Sequence, residues 1–391
     1  MKVLDGKGVI IKTWCQELEE EAYNQACNLS ALPFVQHHVA LMPDCHTGYG
    51  MPIGGVIACE GVIIPNAVGV DIGCGMVALK SKSIKSLTNQ QIKDIMGIIR
   101  EEIPVGFNHH KESHEDKMPE WDPDSKCASF YNVIPKEYKS ACKQVGTLGG
   151  GNHFIELQQG DDGYIWAMVH SGSRNLGFKV AKYYNDLAKK LNAKWFSSVD
   201  PKWDLAFFPM NTMEAVSYKA EMEYCLKFAE ASRRMMIDKV SGAIYKVVGE
   251  ELFDRLINIH HNYAIMEHHF GKNVMVHRKG ATSAKEGQIG IIPGSQGTSS
   301  YIVRGKGNEE SFMSCSHGAG RTMGRKQAQK TLDLDTEIKK LEDQGIVHSI
   351  RTVKDLDEAS GAYKDIDVVM EAQKDLVDIE VKLTPLGVVK G

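Results

Sequence analysis

The stretch Asp71-Ile72-Gly73-Cys74-Gly75-Met76 places a carboxylate and a thiol three positions apart in a glycine-rich turn, which makes a compact metal half-site. Downstream, His153, His170 and His261 each lie where a strand-like apolar run ends in polar residues. Functional side chains are usually found at such strand ends and in the loops that follow them. The sequence therefore predicts that the other half of the site comes from these histidines.

The length and composition are typical of a globular protein. The 391 residues could hold two or three average domains, but no segment resembles a linker, so we expect one large, continuous domain over residues 1–391. A hydrophobic fraction of 42% with 25% charged residues suits a chain that buries a sizeable core. The net charge of −4 gives no global attraction for nucleic acid, so any RNA contact must come from a local basic patch.

The sequence also bears on the location of the protein. No apolar run reaches the roughly 18 residues that a membrane span needs, and the N-terminus lacks the layout of a signal peptide. Nine cysteines scattered without CxxC pairs argue for reduced thiols rather than a disulfide framework. We therefore expect a cytoplasmic protein with no membrane partner.

The pattern of apolar residues predicts an α+β fold with a mostly antiparallel β core flanked by helices. Strand-like segments at 36–42 and 52–59 make the first third mainly β. The loop Pro43–Gly50 between them is too rich in glycine to continue either strand. A helical insert is expected at about 176–250, and the last strand is expected at Ile379–Leu383.

The five ligand-type residues favour a particular kind of metal. They are Asp71, Cys74, His153, His170 and His261. A mixed sulfur, oxygen and nitrogen set suits a borderline divalent ion such as Mn, Co, Ni or Zn better than calcium or magnesium. Five ligands are one too many for a closed tetrahedral site, but they fit two ions if Cys74 bridges them. Any one histidine alone is more simply explained as a satisfied core imidazole.

Two further segments have the composition of phosphate-binding loops. Pro293–Ser300 and Ser316–Arg321 supply small residues whose backbone N–H groups can approach an anion closely. His317 lies between a serine and Gly-Ala-Gly in the second segment. A neutral imidazole in that setting could accept a phosphoryl or nucleotidyl group, act as a general acid or base, or serve as a sixth metal ligand.

The basic residues outside these motifs are interpreted as solvated surface. They are Arg278-Lys279, Arg304 with Lys306, and Arg321 with Arg325, Lys326 and Lys330. A second histidine group, His109-His110-x-x-x-His114, could ligate a metal if it were helical, because positions four apart share one helix face. Pro119 and Pro123 argue against a helix, so we expect a solvated polar loop at 107–127.

Taken together, these motifs resemble the RtcB family of GTP-dependent RNA ligases. The resemblance covers nearly the whole chain, in order, which a chance match would not produce. The motifs are Met42–His46, Asp71–Gly75, Leu148–Glu156, Val169–Arg174, His260–Tyr263, Arg278–Ala281, Ser314–Arg321, Tyr363–Asp367 and Val388–Gly391. The resemblance implies an RtcB-like fold for the chain.

The resemblance also implies a reaction. An RNA 3′-phosphate end, or a 2′,3′-cyclic phosphate end after hydrolysis, would be joined to a 5′-hydroxyl end in RNA repair or tRNA splicing. His317 would attack the α-phosphorus of GTP to give a GMP-histidine adduct and pyrophosphate. The GMP would then move to the RNA 3′-phosphate, and the 5′-hydroxyl would displace it. Asp44 would hold the far nitrogen of His317 and so present the other nitrogen as the nucleophile.

Metal and nucleotide ligands follow from the same resemblance. One Mn²⁺ would lie on Asp71, Cys74 and His153, and the second on Cys74, His170 and His261. GTP contacts would come from Asn152, His153, Phe154, Ile155, Glu156, His261, Asn262, Pro293, Gly294, Ser295, Gln296, Ser300, Gly318, Ala319, Gly320, Tyr363 and Lys390. A base-contacting Lys390 predicts that truncating the last two residues lowers activity.

Several alternatives stay open at this point. A metal-dependent phosphohydrolase or nuclease would use the same two-metal site with water as the nucleophile. An RNA-binding repair factor without catalysis is disfavoured by the intact ligand set. Cys45 and His277 depart from the family pattern and could be packing residues or extra metal ligands. The RNA that is joined, the oligomeric state, the metal bound in the cell and the need for a helper protein in turnover are not specified by the sequence.

Overall fold

The strands of the protein form two large sheets. The computed structural model describes residues 1–121, 128–250 and 254–391. The strands in these ranges are β1 (Lys2–Leu4), β2 (Ile10–Thr13), β3 (Val35–His46), β4 (Ile53–Cys59), β5 (Val62–Ile63), β6 (Gly75–Lys80), β7 (Phe154–Gly160), β8 (Ile165–Ser171), β9 (Phe208–Pro209), β10 (Arg255–His260), β11 (Asn262–His269), β12 (Lys272–Lys279), β13 (Ala281–Ser283), β14 (Ile289–Ile292), β15 (Ser300–Gly305), β16 (Ser314–Ser316) and β17 (Val377–Lys390).

The strand order separates the two sheets clearly. The six-stranded sheet runs β1-β2-β3-β4-β12-β11, and the seven-stranded sheet runs β10-β6-β8-β7-β17-β15-β14. Among the described strand pairs, β2 and β3 are parallel and the other ladders are antiparallel. The α-helices are α1 (Glu20–Ser30), α2 (Asn89–Glu102), α3 (Ile134–Ala141), α4 (Arg174–Lys194), α5 (Met213–Val248), α6 (Arg325–Thr331), α7 (Leu334–Glu342) and α8 (Ile366–Ala372). The predicted α+β class with a mostly antiparallel core is confirmed.

Strand β8 shows how the core is layered. Ile165, Ala167 and Val169 pack against α2 and α5, whereas Trp166 and Met168 pack on the other face against side chains of β14, β15 and β17. Successive side chains of a strand point to opposite faces, so a strand covered on both faces is apolar throughout. The edge strands β10 and β14 contact each other, and the seven-stranded sheet therefore curves towards a barrel.

The predicted helical insert at about 176–250 is confirmed as α4 and α5 with β9 between them. Helix α5 begins after Thr212, whose hydroxyl accepts a hydrogen bond from the N–H of Ala215 at 3.3 Å, and ends at Gly249 with a φ of +79°. It packs against β6 and β8. The insert thus covers one face of the seven-stranded sheet. No helix in the described ranges is long and apolar enough to cross a membrane.

The loop predicted at Pro43–Gly50 is wrong in its first half. Strand β3 continues to His46, and Asp44 and Cys45 are fully buried. The register with β4 shifts between Leu41 and His46, so this part of the strand is irregular. A bulge accommodates a proline, which cannot donate to the ladder, and redirects neighbouring side chains. That irregularity carries Asp44 into the interior.

For two other predicted segments, the structure differs from the prediction in how far the element extends. The last strand, predicted at Ile379–Leu383, is the longer β17, which continues past a register shift between Pro385 and Gly387. The polar loop predicted at 107–127 contains a short 3₁₀ turn at Glu115–Lys117. Residues 122–127 of that prediction lie outside the described residues.

Candidate active site

The side chains predicted to bind metal lie together. The Sγ atom of Cys74 is 3.5 Å from Nε2 of His153 and 3.3 Å from Nε2 of His170, and the ligand atoms of these three residues lie within 4.8 Å of one another. Oδ2 of Asp71 is 3.1 Å from Nε2 of His153, and Nε2 of His261 is 3.4 Å from Nε2 of His170. All five predicted ligands therefore belong to one continuous cluster, which we call the metal cluster.

Strand pairing explains why these distant residues meet. Strand β6, which follows the turn of Cys74, lies between β10 and β8, with Gly75 opposite His260 and Met76 opposite His170. His261 follows directly after β10, and His153 directly precedes β7. The ends of four neighbouring strands therefore surround the turn. Within it, the N–H of Cys74 donates to the carbonyl of Asp71 at 3.1 Å.

Backbone carbonyls orient two of the histidine rings. Nδ1 of His153 donates to the carbonyl of Leu148 at 3.0 Å, and Nδ1 of His170 donates to the carbonyl of Asn152 at 2.9 Å. A carbonyl only accepts, so each Nδ1 carries a proton, and each Nε2 faces Cys74. Burial lowers the pKa of His170 well below its ordinary value. The His170 ring is thus held in the neutral tautomer that binds a metal.

A buried arginine that the sequence analysis missed lies beneath the metal cluster. Arg233, on α5, is fully buried, and its guanidinium donates to the carbonyls of Gly73 at 2.8 Å and Ser171 at 2.9 Å. Gly73 directly precedes Cys74, and Ser171 directly follows His170, so Arg233 binds the backbone beside two residues of the metal cluster. Burial lowers the pKa of Arg233 to about 10. No local sequence pattern marked Arg233 for this role, because the carbonyls that it binds belong to distant parts of the chain.

His317 and Asp44 form a second centre beside the metal cluster. Nδ1 of His317 donates to Oδ2 of Asp44 at 2.6 Å, and the N–H groups of His317 and Gly318 donate to the same oxygen at 3.1 and 3.3 Å. The His317 ring packs on His261, with 4.8 Å between ring centroids. Burial acts to raise the pKa of Asp44, but the charge and hydrogen bond of His317 outweigh it, and the pKa is lowered. Among the described residues, Nε2 of His317 has no hydrogen-bond partner.

A cavity of about 770 Å³ opens in front of His317. The predicted nucleotide-binding residues on its wall are Asn152, Phe154, Glu156, Pro293, Gly294, Ser295, Gln296, Ser300, Gly318, Ala319, Gly320, Tyr363 and Lys390. Four other residues predicted to contact GTP lie elsewhere. The Ile155 side chain packs in the core, and His153 and His261 belong to the metal cluster. The side chain of Asn262 donates to the carbonyl of Asp71 and accepts from the N–H of Gly280.

Two arginines of the wall are held by a carboxylate that the sequence analysis missed. Glu358 is buried, and it accepts hydrogen bonds from Nη1 of Arg321 at 2.7 Å, from Nε of Arg325 at 2.6 Å and from the hydroxyl of Tyr363. Burial acts to raise the pKa of Glu358, but Lys390 and these arginines lower it overall. Both guanidiniums are thereby fixed at the mouth of the cavity.

The interpretation of the basic residues as solvated surface is wrong for Arg278, Lys279 and the mostly buried Arg321, but it is right for Arg325, Lys326 and Lys330, which are exposed. Arg321 and Arg325 line the cavity, as described above. Arg278 is fully buried because Nη2 pairs with Oε2 of Glu267 at 2.8 Å, and Lys279 is buried with its ammonium 3.1 Å from the carbonyl of Asn66. Composition alone did not reveal these partners, which come from distant strands and loops.

One acidic residue of the cavity is held in its neutral form. Burial raises the pKa of Glu156 to about 8. The ammonium of Lys390 lies 5.7 Å from the ring centre of Phe154, on the strand that pairs with β17. Burial also lowers the pKa of Lys390. The two groups give this end of the cavity polar atoms that are poorly hydrated, which suits recognition of a ligand by hydrogen bonds.

His277 and Cys45, the two residues that depart from the family pattern, are both buried and packed in the core. Nδ1 of His277 donates to the carbonyl of Met275 at 3.1 Å, and Nε2 accepts from the N–H of Ile64 at 3.0 Å. Burial lowers the pKa of His277 to about 4, so the ring is neutral with both nitrogens engaged. Cys45 is fully buried in the core between α1 and β3. Neither residue belongs to the metal cluster.

The fold and the site define a class of α+β proteins in which a cysteine–histidine cluster suited to metal lies beside an aspartate-held histidine. The chain belongs to the RtcB family, because the family model described as tRNA-splicing ligase RtcB matches residues 25–391. Enzymes of this family are RNA ligases by name. The match leaves only the first 24 residues uncovered.

Individual relatives agree with the family model. The chain is 38% identical to RNA-splicing ligase RtcB of Escherichia coli K12, over 100% of this chain and 99% of the relative. It is 31% identical to tRNA-splicing ligase RtcB of Methanococcus maripaludis and 31% identical to that of Thermococcus kodakarensis, which align over 96% and 95% of this chain and 92% of each relative. The similarity therefore extends over both sheets and the insert.

Proposed function

We propose that the protein joins RNA 3′-phosphate or 2′,3′-cyclic phosphate ends to 5′-hydroxyl ends, using GTP and two Mn²⁺ ions through a GMP-histidine intermediate, in RNA repair or tRNA splicing. The observation that carries the proposal is the pair of His317 and Asp44, joined at 2.6 Å between the metal cluster and the cavity. A nucleophilic histidine needs a hydrogen-bond acceptor at one ring nitrogen, which fixes the tautomer and leaves the other nitrogen to attack. Asp44 is placed to be that acceptor, because its Oδ2 atom lies next to Nδ1 of His317. The names of the relatives, RNA-splicing and tRNA-splicing ligase, support the reaction class.

The residues of the metal cluster fit a borderline divalent ion. The donor atoms of Cys74, His153 and His170 converge, and Nδ1 of His261 is buried with no hydrogen-bond partner among the described residues. Asp71, Cys74 and His153 would hold one Mn²⁺, and Cys74, His170 and His261 the other. The ions would supply positive charge that offsets the triphosphate and the transferred phosphoryl group.

The chain's own groups carry the first step. Nε2 of His317 attacks the α-phosphorus of GTP, a P–N bond forms, and the P–O bond to pyrophosphate breaks. The negative charge of Asp44 stabilises the imidazolium character that the ring gains as the P–N bond forms. The GMP group then passes to an oxygen of the RNA 3′-phosphate, and the 5′-hydroxyl displaces GMP to form the phosphodiester.

The cavity in front of His317 has the features that a guanine nucleotide needs. Ala319 and Gly320 line the cavity beside His317 and would lie close to the phosphates, and the arginines held by Glu358 add charge. Glu156 in its neutral form and Lys390 would contact the base end. Its volume of about 770 Å³ lies within the range of about 300–1,000 Å³ that is typical of small-molecule sites.

The proposal is tested by incubating the protein with Mn²⁺ and α-labelled GTP. We expect label on the wild type that survives denaturation and alkali and is lost in acid, as a phosphoramidate should be, and no label on His317→Ala. The labelled protein should then transfer GMP to an RNA 3′-phosphate. Absence of label with GTP, ATP and other divalent ions, accompanied by metal-dependent phosphoester hydrolysis, would instead support a two-metal phosphohydrolase or nuclease.

A further inference from the structure

Lys364 holds the backbone on both sides of Asp44. Its ammonium donates to the carbonyl of Cys45 at 2.6 Å and to the carbonyl of Pro43 at 3.4 Å. Its own N–H donates to the carbonyl of Gly320 at 2.9 Å. One residue therefore connects the segment that carries Asp44 with the segment that follows His317.

The Asp44 segment needs such a connection because regular sheet pairing fails there. The register between β3 and β4 shifts between Leu41 and His46, so the carbonyls of this stretch lack the ordinary ladder. An unpaired buried carbonyl is destabilising, and the ammonium of Lys364 supplies the donor that the ladder does not. A lysine with three donor hydrogens can serve both carbonyls at once.

The same lysine adds positive charge to the surroundings of the fully buried Asp44 carboxylate. Asp44 is 0% exposed, and its Oδ1 atom has no hydrogen-bond partner among the described residues. A buried carboxylate is stable only when nearby charges and donors compensate for lost hydration. Lys364 also lowers the pKa of Asp44, in the same direction as His317 and His46.

Close packing leaves little room for the two segments to move independently. Gly320 has a φ of +76°, and a Cβ atom placed there would lie 2.2 Å from the carbonyl oxygen of Asp44. The segment after His317 therefore touches the Asp44 backbone directly, and Lys364 binds the segments on either side of that contact. A shift of either segment would change the direction in which Nε2 of His317 points.

We propose that Lys364 is a positioning residue for nucleotidyl transfer, which fixes Asp44 against His317 by holding the carbonyls of Pro43 and Cys45. The inference rests on the proposed function, because it assigns Lys364 to the formation of the histidine adduct. Lys364 is not among the residues that line the cavity. Its effect is on the rate at which correctly bound GTP reacts.

The first test is single-turnover labelling of Lys364→Met with α-labelled GTP and Mn²⁺. Methionine keeps most of the side-chain volume and removes the charge and the donors. Because misplacement of a reacting group by about 1 Å can cost about 100-fold in rate, we expect the labelling rate constant to fall about 10- to 100-fold. The GTP concentration for half-maximal rate should change by less than about twofold, equal to about 0.4 kcal/mol.

A matched control and a rescue separate positioning from general damage. Lys374→Met removes a lysine that lies near α8 and pairs at the surface with Glu371, and it should label at the wild-type rate. Lys364→Ala leaves space for an added amine, and n-propylammonium should restore its labelling rate in a concentration-dependent way. Tetramethylammonium, which has no N–H donor, should not restore it at equal ionic strength.

The outcomes discriminate between the two proposals. Wild-type labelling by Lys364→Met would overturn the positioning role and leave the proposed function intact. A loss of labelling that no amine restores, with a lowered midpoint of thermal unfolding, would also overturn it, because it would show a purely structural role. Failure of the wild type itself to be labelled would overturn the proposed function, and the positioning role with it.

Discussion

At the scale of single residues, the site is organised by backbone carbonyls and one carboxylate that fix which ring nitrogen carries the proton. The sequence identified every member of the metal cluster and His317 through short motifs, since each motif joins a reactive side chain to glycine or asparagine. It did not identify Arg233 or Glu358, because a lone charged residue in an apolar or loop segment has no local pattern. Their partners, such as the carbonyl of Gly73, are distant in sequence.

Replacement of Cys74 should abolish a defined spectroscopic signal. We expect wild-type protein loaded with Co²⁺ to show thiolate-to-cobalt charge-transfer absorption, because the Cys74 sulfur lies 3.3–3.5 Å from two ligand nitrogens. Cys74→Ser should lose the band. Cys45→Ser is the control, and it should keep the band because Cys45 lies outside the metal cluster. If Cys45→Ser lost the band and Cys74→Ser kept it, the assignment of Cys74 as a metal ligand would be contradicted.

Replacement of Asp44 should slow formation of the adduct without preventing GTP binding. In Asp44→Asn the amide oxygen can still accept hydrogen bonds, but the negative charge beside His317 is gone. Loss of the corresponding charge in a serine-protease triad costs about 10⁴-fold, and we expect the labelling rate to fall by about 10²- to 10⁴-fold. Quantitative labelling at the wild-type rate would show that Asp44 has no part in the step.

Glu156 should make the metal-free protein less stable as the pH rises. Its pKa is about 8 in the folded protein and about 4.3 in an unfolded chain, so the folded state binds more protons between these values. The stabilising contribution is therefore complete below about pH 4.3 and lost as the pH rises through about 8. Glu156→Gln should unfold at a temperature that depends less on pH between pH 5 and 8.

An exposed glutamate provides the comparison for this experiment. Glu371 is 68% exposed at its side chain, and Glu371→Gln should keep the wild-type dependence of the unfolding temperature on pH. If Glu156→Gln and the wild type gave parallel curves, the carboxyl of Glu156 would be ionised in the folded protein at neutral pH.

At the scale of elements, strand ends and one long helix position the site. Alternation and apolar runs predicted β4 and the helical insert, because these elements are buried in regular patterns. The same reasoning stopped β3 too early, since glycine and proline in Pro43–Gly50 are ordinary signals for a loop. Only pairing with β4, and the contacts of Lys364, show why a strand persists there.

Helix α5 should contribute to stability through Arg233. Arg233→Met leaves the carbonyls of Gly73 and Ser171 buried without their donors. Each such group costs about 1–3 kcal/mol, so the free energy of unfolding of the metal-free protein should fall by at least that amount. Chemical denaturation measures this change.

The adjacent arginine is the matched control. Arg234 is half-exposed and pairs with Asp238 one turn along the helix, at 3.0 Å. Surface pairs of this kind contribute about 0–1 kcal/mol, so Arg234→Met should have little effect. Equal destabilisation by the two variants would mean that helix propensity, and not support of the metal cluster, explains the result.

At the scale of the whole molecule, the site combines residues from positions 44 to 390. The fold class and the order of the motifs followed from the sequence, because the motifs cover nearly the whole chain. The division into two sheets did not, since no local pattern tells β17 to pair with β7 rather than with its neighbours in sequence. That pairing brings Lys390 opposite Phe154 and into the cavity.

Replacement of Lys390 should weaken nucleotide binding. A charged hydrogen bond in a poorly hydrated cavity is worth about 1.5–3 kcal/mol, so Lys390→Ala should raise the GTP concentration for half-maximal labelling about tenfold or more. The maximal labelling rate should change much less, because Lys390 lies away from His317. Lys382→Ala, which alters a half-exposed lysine of the same strand, should leave both quantities unchanged.

The central place of β17 in the seven-stranded sheet has a consequence for biosynthesis. Strands β7 and β15 each pair with β17, which emerges from the ribosome after more than 370 residues have been made. Until then a nascent chain exposes two unpaired sheet edges, which are sites of aggregation. Because β17 is translated after the other strands of this sheet, its arrival closes the sheet and completes the cavity in front of His317 in one event. Chains that stop short of β17 should therefore depend on chaperones.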